Sequence, residues 1–345
     1  MILMSVQAAQ EQEALERVHM PQRLTEKMSQ QGYHFVGRHS ATKLCNYTAS
    51  SLKKGTRDHT CYKHRFYGIR SWRCIQATTA VGCNLSCTFC WRIIPEEEGF
   101  SWNEINAVKD WDDPAGIVDG LVREHKRLVS GYKGDPDADL ERWQEAQDPA
   151  HVALSLTGEP LFYPKLGALL LEFHRRKIST FLVTNGTMVQ ALRRLTTLPT
   201  QLYVSVQAPN REVYDRVARA KTANAWESFQ EFLAVFSGLN TRRVFRLTLM
   251  RGINMVDAGG YAELISRGRP HYVEVKGFAY VGGARNEKRG LSYGSVPAMD
   301  EIKAFAGEIA DRSGYIVVDY HESSNVVLLC ADVEAARNRI LKFEK

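Results

Sequence analysis

Three cysteines crowd the stretch V-G-C-N-L-S-C-T-F-C-W-R between Val81 and Arg92: Cys83, Cys87 and Cys90, at C-x3-C-x2-C spacing. Thiolate sulfur is the ligand that iron–sulfur chemistry selects, and three thiolates this close can hold three irons of a cubane cluster. The remaining iron then lacks a protein ligand, and an open coordination position is where a metal site does chemistry. A zinc knuckle is the competing reading. Zinc takes paired cysteine halves and a closed set of four ligands, whereas no fourth Cys or His follows nearby.

Three more cysteines lie upstream: Cys45, Cys61 and Cys74, with fifteen and twelve residues between them. That spacing suits no zinc motif. They are either buried small residues or a second set of three thiolates with another open iron. Their segment reads as polar, basic and loop-like. Residues 43–73 hold eight lysines and arginines against Asp58 alone, an excess of seven in a chain whose net charge is +6. Tyr47, Tyr62, Phe66, Tyr67 and Trp72 interleave the cations. Cations for phosphates and rings for unstacked bases are what binding an RNA loop requires; a solvated basic segment beside an anionic cluster is the plainer reading. Lys63, in Cys61-Tyr-Lys, sits among these cations. Neighbouring positive charge lowers an amine's pKa, and a neutral amine condenses with a ketone. An exposed surface lysine is the ordinary alternative.

The chain has 345 residues, 44% of them hydrophobic, so a substantial core can form. No run approaches the roughly eighteen apolar residues of a membrane span. The N-terminus has no basic region of a secretory signal. Clustered cysteines without one point to a reducing compartment, hence the cytoplasm, and to metal binding. Residues 1–32 have mild helical character, with Ala14, Leu15 and Val18 on one face. A short apolar run near Tyr33–Val36 suggests a strand. From Arg73 onward strands and helices alternate. Arg73–Val81 reads as a strand that feeds the cysteine loop. Asp113 and Pro114 read as N-cap and first residue of a helix whose apolar face is Ile117, Leu121 and Leu128, ended by Gly131. Strands follow at 151–156, 180–184, 201–206, 244–250, 272–280, 315–319 and 325–330, most of them separated by helices. Repeated βα units imply a parallel sheet with right-handed crossovers, and periodicity does not choose between a barrel-like and an open doubly wound form.

C-x3-C-x2-C with Phe89 before the last Cys resembles the signature of radical S-adenosylmethionine (SAM) enzymes. The wider context is similar to one tRNA-modifying family, the 4-demethylwyosine synthases: F-Y-G-I-R-S-W-R-C, H-V-A-L-S-L-T-G-E-P, K-I-S-T-F-L-V-T-N-G, Q-L-Y-V-S-V, F-R-L-T-L and V-E-V-K-G. The resemblance implies an α/β fold, a partial (β/α)6 TIM-like barrel with the chemistry at the C-terminal ends of the strands. Its expected divisions are 1–66 with the auxiliary cluster ligands, 67–312 as the barrel, and 313–345 as closing strands and helix. It implies two [4Fe-4S] clusters, on Cys83/Cys87/Cys90 and on Cys45/Cys61/Cys74.

SAM would be met by Phe89 near the adenine, Glu159 at the amino group, and Asn185, Ser205 and Gln207 at ribose and carboxylate, with Thr184 and Gly186 beside them. Glu159 reads equally as a turn residue before Pro160. Gln207 stands where the family carries Asp, and Trp72 where His is expected. The C-Y-K position makes Lys63 the lysine that captures pyruvate. Lys276 is a second candidate, more simply paired with Glu274. Arg92, His321, Glu322 and Asn325, with Ser324, are candidates for tRNA or substrate contact; the last four read equally as a turn between strands. Arg285, Lys288 and Arg289 could meet phosphates. Cys330 reads as core.

The implied reaction condenses N1-methylguanosine of tRNA-Phe with pyruvate, with electrons from a separate reductant such as flavodoxin or ferredoxin. The form implied is the compact archaeal one, without a flavodoxin domain and monomeric. Two other readings stay open: a two-cluster radical SAM enzyme acting on a peptide or small molecule, and a zinc-stabilised RNA-binding protein.

Overall fold

The computed structural model describes residues 20–55, 60–106 and 110–343. The helical face of Ala14, Leu15 and Val18, and Arg57 and Asp58 of the basic segment, lie outside them.

One ten-stranded sheet organises the chain. β1 (His34–Val36) and β2 (Ser40–Thr42) form a hairpin, and β2 runs antiparallel to β3 (Cys74–Thr78). From β3 the order continues in parallel through β4 (His151–Leu154), β5 (Ser179–Thr184), β6 (Gln201–Val206), β7 (Arg242–Leu249) and β8 (Tyr272–Gly277). β9 (Ile316–His321) is the far edge, and β10 (Val326–Cys330) lies antiparallel between β8 and β9. Six parallel strands with helices between them make the partial barrel, left open between β1 and β9.

Alternation along the strands separates two cores. Val152, Leu182, Val204, Leu247 and Val275 face outward and pack against the helices. Ala153, Phe181, Tyr203, Val244 and Tyr272 face inward with Val326 and Leu328. The inner core is filled by the helix Tyr62–Tyr67, whose Tyr62, Phe66 and Tyr67 are buried against those strands. The cysteine-bearing segment is therefore not a loop. It contains the helices Asn46–Ser51 and Tyr62–Tyr67 and a 3-10 turn at Ser71–Arg73. Divisions drawn after residues 66 and 312 cut through the helices Tyr62–Tyr67 and Met299–Ser313.

Local signals placed several boundaries. The helix Pro114–Ser130 starts where Asp113 accepts hydrogen bonds from the Ala115 and Gly116 amides at 3.0 and 3.4 Å. Its end differs from expectation. Gly131 is right-handed (φ −63°) and leads into a 3-10 turn, and Val129 rather than Leu128 is buried in the last turn. β3 stops three residues before Val81, because the Thr78 hydroxyl binds the Ala80 and Thr157 carbonyls at 2.8 and 2.6 Å and bends the chain into the cysteine loop. Removing the cap through Asp113→Ala should cost about 1 kcal/mol. In a melting experiment that is a fall of about 2 °C; an unchanged transition would show that the cap is dispensable.

Candidate active site at the barrel mouth

The Cys83–Cys90 loop leaves β3 at its C-terminal end and is held by neighbouring strand ends. Gly158, after β4, has φ +70°, and a Cβ there would lie 1.9 Å from the Ala80 carbonyl oxygen. The Glu159 amide donates to the Gly82 carbonyl at 2.8 Å. From β5, the Asn185 side-chain Nδ2 donates to Asn84 Oδ1 at 2.7 Å and reaches Cys83 Sγ at 3.6 Å. On the far side, the Ser86 and Thr88 amides donate to the Ala218 and Val217 carbonyls. Arg289 closes the loop from behind: it grips Glu97 through Nε and Nη2 and donates to the Cys90 carbonyl. Burial raises all three thiols, Cys83 to about 12, and each is raised further by another cysteine of the triad or a nearby carboxylate.

Cys45, Cys61 and Cys74, scattered in sequence, each precede or open an element: the helix Asn46–Ser51, the helix Tyr62–Tyr67 and β3. Ser71 and Thr48 tie the backbone around two of them. Its hydroxyl accepts from the Cys61 amide at 3.0 Å, and its carbonyl accepts from Thr48 Oγ1 at 3.0 Å, which also reaches the Cys74 carbonyl. Burial pushes the Cys61 thiol up to about 11 and Cys74 to about 12, with Cys45 contributing to both shifts.

Lys63 projects from the inner helix into the barrel. It is 9% exposed, its Nζ lies 4.9 Å from the Tyr203 ring centroid and 5.6 Å from that of Phe181, and no hydrogen bond or ion pair engages it among the described residues. Burial first, then the Arg246 guanidinium, hold its ammonium below the usual lysine range, against the opposing pull of Cys61, Glu274 and Cys74. Burial and Arg246, not the basic segment, are the cause of the lowering. Lys276 is half-buried on β8, donates to the Ser324 carbonyl, and is pushed down to about 8 by burial and Arg246. It does not hold Glu274 in an ion pair. That carboxylate is fully buried and taken up by Arg246 Nε (2.8 Å), Tyr62 OH (2.8 Å) and Tyr67 OH (3.0 Å).

Glu159 is 1% exposed. Its oxygens accept from the Leu161 amide (3.1 Å) and the Asn185 amide (2.8 Å), and burial still pushes its carboxyl up to about 7. Gln207, past the end of β6, is buried, with Oε1 lacking a partner among the described residues. Ser205 faces inward on β6 in register with Arg246 on β7. Thr184 and Gly186 are buried at the end of β5, and Phe89 is half-buried against the outer core.

Other expectations fare differently. Arg92 is 7% exposed, its guanidinium 3.5 Å from the Trp91 ring centroid, with Nε and Nη2 unpartnered among the described residues. It is a buried donor, not a surface cation. Arg289 is likewise buried in its pairing with Glu97, while Arg285 and Lys288 are exposed. Glu322 turns outward to Lys303 at 2.8 Å. Asn325 is left-handed (φ 49°), caps the preceding 3-10 turn and donates to the Pro297 carbonyl, so it shapes the turn into β10. His321 is buried near Ser323. Four of the basic segment's eight cations pair with carboxylates: Lys53 with Asp135, Arg65 with Asp319, Arg70 with Glu145 and Arg73 with Asp148. Its aromatics are structural too. Tyr62, Phe66, Tyr67 and Trp72 are buried, Trp72 donating to Glu145 at 2.7 Å, and Tyr47 bonds Ser324. Cys330 is core.

Arg246 and Tyr203 have no role in a sequence reading, and Glu274 only that of a partner for Lys276, although a signal exists. In R-R-V-F-R-L-T-L, Arg242 and Arg246 share the strand parity of buried Val244, which is unusual for a core strand. Among the described residues no three of His, Cys, Asp and Glu converge on one metal ion. A cubane asks each thiolate for a different iron. The donor sets suit that group, and the unpartnered Gln207 Oε1 and Arg92 nitrogens leave polar capacity for a ligand.

The family model of the radical SAM superfamily matches residues 78–265, and that of wyosine base formation matches 267–330. An S-adenosyl-L-methionine-dependent tRNA 4-demethylwyosine synthase of Pyrococcus horikoshii is 41% identical over 319 residues, covering 91% of this chain and 90% of the relative. A solved TYW1 structure with a lysine–pyruvate adduct bound superposes with TM-score 0.79 at 32% identity, covering 94% of this chain and 100% of that one. An archaeal TYW1 crystal structure gives 0.71 at 30% identity, covering 93% and 98%.

The contact at Gly158 is with backbone, which cannot swing aside. Gly158→Ala should displace the cysteine loop and remove about four iron atoms per chain. Iron analysis after anaerobic purification checks this, and full iron content would show that the loop tolerates the shift.

Proposed function

The chain belongs to the radical SAM 4-demethylwyosine synthases, and we propose that its two cysteine triads, Lys63 and the strand-end polar residues carry that activity. The enzyme condenses N1-methylguanosine of tRNA-Phe, next to the anticodon, with pyruvate to form the tricyclic base 4-demethylwyosine. Cys83, Cys87 and Cys90 would hold one iron–sulfur cluster, which when bound would supply the electron for reductive cleavage of SAM, and Cys45, Cys61 and Cys74 would hold the second.

Glu159 faces the SAM ammonium, Asn185, Ser205 and Gln207 its ribose and carboxylate, and Phe89 its adenine. In Gln207 a neutral acceptor replaces a charged one, and its unpartnered Oε1 suits a ribose hydroxyl donor. Lys63 takes pyruvate: the amine nitrogen bonds to the ketone carbon, and the carbonyl oxygen leaves as water. The inner core excludes bulk water around this adduct. Electrons come from a separate flavodoxin- or ferredoxin-like reductant, and the protein acts in the cytoplasm as a monomer. No helix among the described residues is long and apolar enough to cross a membrane.

The observation that carries the reading is Lys63 itself, a buried amine over the Tyr203 ring that has no hydrogen-bond or ion-pair partner among the described residues. Anaerobic incubation with SAM, reductant, pyruvate and methylated tRNA, followed by nucleoside analysis, tests it. Lys63→Ala should lower tricyclic product at least ~100-fold, the scale of losing a covalent catalytic group. Product formation near the wild-type rate with both clusters loaded would refute the assignment.

The Glu159 carboxyl, pushed up to about 7, is mostly protonated below that pH. An ammonium beside it favours the ionised form. SAM binding should therefore tighten as pH rises through about 7, and Glu159→Gln should flatten that dependence in equilibrium dialysis. A pH-independent affinity in the wild type would remove Glu159 from the SAM amine.

A further inference from the structure

Three cations, Lys63, Lys276 and Arg246, lie in the barrel interior around one buried carboxylate, Glu274. A buried guanidinium N–H without an acceptor is costly unless a ligand completes it. Glu274 is committed to Arg246, Tyr62 and Tyr67, and Lys276 donates to the Ser324 carbonyl. Arg246 is different. Only its Nε donates to a protein acceptor among the described residues, and Nη2 is buried with no partner.

Its placement is equally specific. Arg246 stands on β7 between Ser205 of β6 and Glu274 of β8, on the inward face. Its guanidinium carbon is 4.6 Å from the Tyr203 ring centroid, and Lys63 Nζ is 4.9 Å from the same centroid. One ring is thus shared by the amine and by the unfilled fork. The Nε–Glu274 bond fixes the plane of the guanidinium, so its remaining N–H groups are aimed before any ligand arrives.

We propose that Arg246 recognises the carboxylate of the α-keto acid that Lys63 captures, and thereby selects such an acid over a neutral carbonyl compound. This rests on the reading of Lys63 as the capturing amine. In the capture step the Lys63 nitrogen forms a C=N bond to the ketone carbon and the ketone oxygen leaves as water. No electron is gained or lost, and the carboxylate stays anionic against Arg246.

The test traps the adduct on the cluster-loaded enzyme, anaerobically, with borohydride and either pyruvate or its neutral isostere pyruvamide. Peptide mass spectrometry locates the product. Wild type should half-saturate with pyruvate at a concentration about 10–100-fold lower than with pyruvamide, the range of one charge-assisted hydrogen bond. Arg246→Gln should bring the two within about 3-fold of each other, and Arg246→Lys, which keeps charge without the fork, should fall between.

Wild type that traps both alike overturns the proposal. So does an Arg246→Gln enzyme that binds both more weakly at an unchanged ratio, since that is what loss of support for Glu274 alone would do. If Arg246→Gln fails to fold, the wild-type ratio and the Arg246→Lys variant decide. Absence of any pyruvate adduct at Lys63 in the wild type refutes the Lys63 reading, and Arg246 falls with it; a Lys63 adduct with an unmoved ratio refutes Arg246 alone.

Discussion

A carboxylate with no exposed surface must be paired, and the pairing of Glu274 joins the two halves of this site. Its partners come from the helix between two upstream cysteines (Tyr62, Tyr67) and from a barrel strand (Arg246). Leaving a buried charge uncompensated costs about 3–5 kcal/mol, so the helix cannot withdraw from the barrel cheaply. That constraint sets where Lys63 stands, because Lys63 follows Tyr62 on the same turn. The upstream segment is thus an internal part of the barrel, and the second cysteine triad is positioned by the barrel's own electrostatics.

The Cys83–Cys90 loop is positioned by another device, backbone contact at the strand ends. Gly158 lets the turn after β4 press against the cysteine loop, Glu159 ties that turn to β5, and Asn185 returns to the loop. Arg289, from the segment matched as wyosine base formation, reaches back to the Cys90 carbonyl. The portion of the chain that marks the specific reaction therefore also braces the loop that marks the general chemistry.

Charge counting along the chain misleads here for a physical reason. The excess in residues 43–73 looks like a surface for phosphates, but Asp135, Glu145, Asp148 and Asp319 supply counter-charges to four of its eight cations from distant segments. Attraction acts through space, and a local sum sees only neighbours in sequence. The same holds for the aromatics: Tyr62, Phe66 and Tyr67 read as stacking rings in a polar stretch, yet they fill the barrel.

What the sequence determined by itself is what depends on short range. C-x3-C-x2-C brings three thiolates together on one loop, the βα alternation sets six parallel strands, and Asp113–Pro114 starts a helix. Lys63 and the upstream cysteines were legible only as types at positions matching a family. Where they stand was decided by the tertiary structure, through hydrogen bonds between Ser71 and residues far apart in sequence and through β3 carrying Cys74. So were the burial of Arg92 and Arg289, the outward turn of Glu322 and the unfilled fork of Arg246. Each is a matter of which distant groups share a low-dielectric space, and that is settled only when the strands have closed around them.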